Sequence, residues 1–149
     1  MTSTLSAEII GALPARAQLY AFHPDDADAI APDPEMPEAV RRKVFELQAA
    51  SGPAYSVAFD NALALCWGCY LPDAEFWMLP GAAARTRPKL FLRCCRAFVY
   101  ITARYHHLTF ARMRAKSGAS EALRFGLALG FHVEQSANGP FVEMIRRFK

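Results

Sequence analysis

Apolar and polar residues alternate from Arg16 to His23, which predicts a first strand. Ala17, Leu19 and Ala21 share one face, and Gln18, Tyr20 and Phe22 the other. An acidic, proline-punctuated segment follows, from Pro24 to Pro37. In it Asp25 and Asp26 start a short helix that Pro32 and Pro34 must end. Between Glu38 and Ala50 the period becomes helical, with Val40, Val44, Phe45 and Leu47 directed at the core, and Ser51-Gly52-Pro53 stops the helix. Ala54 to Phe59 and Leu63 to Leu71 read as strands joined by a tight turn at Asp60-Asn61. Leu71-Pro72-Asp73 turns the chain again, into a strand over 74–79. Three antiparallel strands thus occupy the middle of the chain.

The stretch from Ala74 to Cys95 organises the rest. Phe76, Trp77 and Met78 favour a buried extended segment, and Pro80-Gly81 ends it. A small-residue loop with basic punctuation leads to Pro88, which suits a first helical turn because its missing N–H is not needed there. The helix runs from about Pro88 to Tyr105. Phe91, Cys94, Cys95, Phe98, Ile101 and Tyr105 face inward, while Arg93, Arg96, Tyr100 and Arg104 form a basic outer stripe. A strand running through a loop into a helix N-terminus directs free N–H groups and a positive dipole end at one spot, which suits a phosphate. Leu108 to Lys116 alternates as a strand, Ser117 or Ser120 caps a helix over 120–129, and Gly130 closes it. Phe131 to Gln135 and Phe141 to Phe148 are the last strands. Residues 1–14 are weakly patterned and are expected to be poorly ordered. The order of elements predicts an α/β domain over 1–149, with a mixed, mostly antiparallel sheet of about seven strands flanked by about four helices.

Composition fits one domain. The 149 residues are 53% apolar and 21% charged, as in globular chains. No apolar run approaches the ~18–20 residues needed to cross a bilayer. The N-terminus has no basic segment before an apolar core, so a cytoplasmic protein without a secretory leader is expected. Charge changes the picture more. Residues 1–84 carry 11 acids against 4 Lys/Arg, and residues 85–149 carry 3 against 13, a sharp split inside a net charge of +3. The basic half can draw a phosphorylated ligand. The stripe of arginines lacks the interleaved aromatics of a nucleic-acid surface, so nucleic acid is an unlikely partner.

Cys66-Trp-Gly-Cys69 has C-x-x-C spacing, but it sits in a strand-like run where positions three apart point to opposite faces. Cys94 and Cys95 are adjacent, which also makes a poor ligand pair. Buried, reduced thiols are expected, with no metal. His106 and His107 end the long helix, where its dipole favours a cation. Trp67 and Trp77 read as core or cleft wall.

This order, together with Ala122-Leu-Arg-Phe-Gly-Leu-Ala-Leu-Gly-Phe131, resembles the GNAT superfamily of acyl-CoA N-acyltransferases. The helix ending in Leu129-Gly130-Phe131 is similar to the family's A-x-x-x-Y-x-x-x-G-F pattern. More narrowly, Phe76-Trp-Met-Leu, Phe91-Leu-Arg and Phe141-Val-Glu-Met144 resemble small acetyltransferase-like proteins of tailed phages and prophages. The resemblance implies acetyl-CoA as cosubstrate and a primary amine as acceptor. It also implies a cofactor arm lying between strand 74–79 and strand 108–116. Met78 and Leu79 would then offer backbone groups to that arm. Gly81, Arg85, Thr86, Arg87 and Lys89 would meet the pyrophosphate. Glu75 is the first choice for a general base, with Asp73, His23 and Glu143 behind it and Tyr100 and Tyr105 as further cleft candidates. The family loop Q/R-x-x-G-x-G/A is occupied by Ala83, Thr86 and Pro88, the tyrosine that protonates the leaving thiolate by Gly126, and the preceding asparagine by Ala119. Those departures imply the alternative, a catalytically inactive binding or virion-associated protein.

Overall fold

The computed structural model describes residues 4–30, 37–116, 118–135 and 140–148. Pro32, Pro34 and Ser117 lie outside them. The chain opens with α1 (Thr4–Ala12), then β1 (Ala17–Ala21), α2 (Pro24–Ile30) and α3 (Glu38–Ala50). The middle strands are β2 (Ala54–Phe59), β3 (Ala62–Tyr70) and β4 (Glu75–Pro80). After them come α4 (Ala82–Arg85), α5 (Pro88–Tyr105), β5 (Phe110–Lys116), α6 (Ser120–Ala128), β6 (His132–Gln135) and β7 (Phe141–Arg147). The seven strands form one sheet in the order β1-β2-β3-β4-β5-β7-β6. Every neighbouring pair is antiparallel except β4 and β5. This is the mixed sheet that the sequence pattern predicts.

Local chemistry explains the hairpin. Asp60 and Asn61 have φ of 49° and 69°, the left-handed pair of a two-residue turn that matches strand twist. Strand parity then divides the side chains. Trp67 and Phe76 face α5, where Phe98 stacks on Trp67 at 4.7 Å and 3° and meets Phe76 and Tyr55 edge-on. Trp77 points to the other face and packs with Phe22 and Phe45. A side chain at position 68 would collide with that indole, since a Cβ would lie 2.4 Å from Trp77 Cζ2. Gly68 is what lets Trp77 cross β3.

Several expectations are corrected. Residues 4–12 form a helix with Leu5 and Ile9 buried, so this part of the weakly patterned N-terminus belongs to the core. The stripe on α3 does not enter the core: Val40, Val44 and Leu47 are 48%, 40% and 59% exposed, and α3 has no buried residue. Phe45 alone of the four turns inward, because α3 rests on α2 and β3 and is tied down by Arg41–Asp28 and Arg42–Asp25 ion pairs. Tyr105, in the last turn of α5, is also exposed. Ser120 is the first residue of α6 rather than its cap, and the cap position is Ala119. At His106 the cation favoured by the helix dipole is opposed: burial, with His107 beside it, lowers its pKa below the usual imidazole value.

All four cysteines are buried free thiols. Cys66 Sγ lies 3.6 Å from Ser56 Oγ on the α2 side, whereas Cys69 joins the core under α5. The two point to opposite faces, as strand geometry requires. Burial pushes the Cys66 thiol up to about 11, Cys69 to about 12 and Cys94 to about 11, and Cys95 rises as well. The unfolded chain therefore releases these protons first. Stability should be fully present below the unfolded thiol pKa of ~8.5 and should fall as pH rises toward the folded values, by up to ~1.4 kcal/mol per pH unit for each thiol. Urea unfolding between neutral pH and mildly alkaline pH, with Cys→Ala variants as controls, measures that slope.

Candidate active-site cleft

Strands β4 and β5 run parallel but share one registered pair, Glu75 with Arg112, and the Arg112 N–H donates to the Ala74 carbonyl at 2.8 Å. Beyond that point they separate. Each is held on its far edge instead, β4 by six registered pairs with β3 and β5 by seven with β7. Sheet twist therefore accumulates between two well-paired halves and opens a wedge between them. The wedge is a cleft of about 1010 Å³, at the upper end of ~300–1000 Å³ for small-molecule sites. Its walls are residues 75–80 of β4 and 113–115 of β5, with α6 on one side and the first turns of α5 on another. Phe91 and Phe125 stack at 4.6 Å and 4° where α5 meets α6.

Of the residues singled out from the sequence, Glu75, Met78, Leu79 and Arg85 line the cleft. Glu75 sits at the closed end. Arg114 reaches it from β5 with two bonds, Nε to Oε1 at 2.6 Å and Nη2 to Oε2 at 2.9 Å. The carboxylate is 14% exposed and the guanidinium 57%. That hydrogen bond, with the charge behind it, raises Arg114 above its ordinary pKa. The pair clasps the two strands where they last touch.

Gly81, Thr86, Arg87 and Lys89 are placed elsewhere. The expected loop is largely taken up by α4, whose turn consumes donors: the N–H groups of Arg85, Thr86 and Arg87 donate to the carbonyls of Gly81, Ala82 and Ala84. The Gly81 N–H donates to the Ala64 carbonyl at 2.7 Å, and a Cβ there would meet that oxygen and Ile30 at 3.1 Å. Its role is close packing on β3. Thr86 Oγ1 donates to the Ala83 carbonyl at 3.1 Å. Arg87 pairs with Asp60, which also faces Arg16, so its charge is directed at the β2–β3 turn. Lys89 is exposed, outside the cleft lining.

The remaining candidates are engaged or distant. Glu143 accepts from Arg112 at 2.9 Å, and the exposed His23 accepts the Asp25 N–H through Nδ1 at 3.1 Å. Asp73 is exposed on the turn before β4. Tyr100 and Tyr105 lie on the outer side of α5. Gly126 is buried, and a Cβ there would lie 2.6 Å from Met144 Sδ, so the Met144 thioether takes up that space. Sequence reasoning missed Arg114, Arg124, Glu121 and Met144 as cleft residues. The one available signal was the alternation of Arg112 and Arg114 on β5, which shows its meaning only once β5 lies beside β4. Among the described residues no three His, Cys, Asp or Glu side chains gather closely enough to hold a metal ion. No helix among them is long and apolar enough to cross a membrane.

No protein-family model matches the sequence, and no curated protein matches it either. Solved structures do. The microcin C7 self-immunity acetyltransferase MccE, in complex with acetyl-CoA and AMP, superimposes with a TM-score of 0.68 at 7% identity, over 95% of this chain and 99% of that one. A GNAT family acetyltransferase from Elizabethkingia anophelis with acetyl-CoA bound gives 0.65 at 11% identity, over 91% and 100%. RimL, the ribosomal L7/L12 alpha-N-protein acetyltransferase, in complex with coenzyme A, gives 0.64 at 12% identity, over 91% and 96%. Identities this low speak to architecture alone, and on that architecture the chain has the fold of the GNAT acetyltransferases.

Proposed function

We propose that the protein is an acyl-CoA-dependent N-acyltransferase of one domain, acting in the cytoplasm, that moves an acetyl group from acetyl-CoA to a primary amine. The observation that carries this reading is the parting of β4 from β5 after the Glu75–Arg112 pair, with the start of α5 at the open side. From Phe76 onward β4 has a registered partner only on its β3 edge, which leaves its other edge for an extended ligand. Met78 and Leu79 supply that backbone. Arg85, joined by Arg124, supplies positive charge at the cleft. Fixed backbone donors stabilise negative charge on the carbonyl under attack, and holding both reactants in the wedge supplies proximity. Glu75 takes the proton of the attacking amine, with Arg114 holding its carboxylate at the closed end. No hydroxyl lies at Gly126, so the departing thiolate takes its proton from water.

Calorimetric titration of acetyl-CoA tests the reading. Saturable micromolar-to-millimolar binding with one site is expected, followed by thiol release when a panel of primary amines is added. Absence of binding at millimolar acetyl-CoA removes the transferase reading.

A second reading has its own observation. Position 126 offers no acid and Met144 fills the space beside it, while Pro88 has no N–H and those of Arg85, Thr86 and Arg87 are taken up within the α4 turn. These features favour a GNAT-like scaffold without catalysis, serving as a binding or phage-type virion component. Acetyl-CoA binding without transfer to any amine supports that reading, and robust transfer excludes it.

A further inference from the structure

The basic stripe of α5 takes no part in the cleft chemistry above. At its C-terminal end lies a second hollow of about 650 Å³, bounded by the last turns of α5, the segment 107–109 that leads into β5 and the end of β7. Tyr100, Arg104, His107, Arg146, Arg147 and Phe148 contribute to its lining. Rings fix two of the cations. The Arg104 guanidinium lies 5.4 Å from the Tyr100 centroid, and that of Arg146 lies 4.9 Å from Phe148. Arg146 also donates to the Leu129 carbonyl at 2.9 Å. Its stem passes over Gly130, where a Cβ would come within 3.2 Å of Arg146 Nε.

Opposing charge here is thin. Glu8 stands 3.9 Å from Arg104 and Glu134 3.5 Å from Arg147, both solvent-facing pairs of the kind that contribute little. The end of α5 carries roughly half a negative charge. That opposition is blunted because the N–H groups of His106, His107 and Leu108 cap the carbonyls of Thr102, Arg104 and Ala103. The Arg104 and Arg146 guanidiniums outweigh what remains, while Arg147, the next residue along β7, turns its side chain to the opposite face of the sheet.

We propose that this hollow binds the phosphate or pyrophosphate group of a small molecule, at a site separate from the β4–β5 cleft. Planar guanidinium forks match phosphate oxygens two at a time. Holding each fork against a ring reduces the ordering cost of binding. The volume is that of a small-molecule site. A single-stranded nucleic acid asks for free ring faces on which bases stack, whereas Tyr100 and Phe148 each already carry a guanidinium on one face.

Inorganic pyrophosphate titrated into isotopically labelled protein at constant ionic strength tests the site. Saturable amide shifts are expected in residues 100–109 and 146–148. The Arg104→Gln/His107→Gln double variant should weaken binding by about tenfold or more, with unchanged melting temperature. Arg146→Lys, which keeps the charge and loses the fork, should bind at an intermediate strength. The proposal is overturned if the shifts fail to saturate at millimolar ligand, if they fall only around residues 81–89, or if the double variant binds as tightly as the parent. The two ends of α5 report separately, so this result is independent of whether acetyl-CoA binds.

Discussion

Replacing Glu75 with Gln is expected to lower acetyl transfer by about 10²- to 10⁴-fold, the usual contribution of a positioned general base, with acetyl-CoA affinity nearly unchanged. The carboxylate lies at the closed end of the wedge, mostly shielded from water, and both its oxygens accept from Arg114. Gln keeps the size and loses the ability to take a proton. A clasp role must be separated from a base role, because the same change weakens the link between β4 and β5. Arg114→Gln does this, since it removes the clasp and leaves the carboxylate. If Glu75 is the base, the rate falls far more in Glu75→Gln than in Arg114→Gln. Equal losses in the two variants, with equal changes in melting temperature, would assign the pair to strand closure alone.

The second large effect is on stability. Phe98→Ala is expected to cost about 3–5 kcal/mol, the range for removing a buried aromatic. Phe98 is fully buried at the point where α5 crosses the sheet, stacked on Trp67 and edge-on to Phe76 and Tyr55. Three rings of one wall lose their shared partner, and a stiff sheet cannot collapse into the gap. Urea unfolding followed by tryptophan emission reports it, since Trp67 loses its stacking partner. Val44→Ala on α3 provides the contrast. It sits in a stripe that the sequence alone would place in the core, yet the residue is 40% exposed, and a change within ~0.5 kcal/mol is expected. A Val44→Ala cost as large as that of Phe98→Ala would contradict this packing.

Those two positions show where sequence reading works. Around α5 both the period and its buried face were legible, because a long helix over a sheet buries a full stripe. On α3 the period was equally clear, but periodicity says which face is apolar and says nothing of how much a neighbour covers. The site divides in the same way. The strand 74–79 and the helix from Pro88 could be located by β-propensity, Pro-Gly punctuation and Pro88 itself. The loop between them could not, since Ala-rich residues 82–85 carry no strong turn signal and wind into α4. Arg85 and Arg87 look equivalent in the sequence, yet one reaches the cleft and the other pairs with Asp60 on the β2–β3 turn.

By itself the sequence determined the order of the seven strands and of α2, α3, α5 and α6, the tight turn at Asp60-Asn61, the opposed faces of Cys66 and Cys69, and the inward face of most of α5. Each follows from local geometry, the two- and 3.6-residue periods and the φ preferences of a few residues. Only the tertiary structure decided that β7 inserts beside β5, that β4 and β5 touch at one pair, and that Arg114 clasps Glu75. Those contacts join residues about forty positions apart. Their energy comes from which edges remain unpaired once every other strand has found its partner, and no local pattern encodes that.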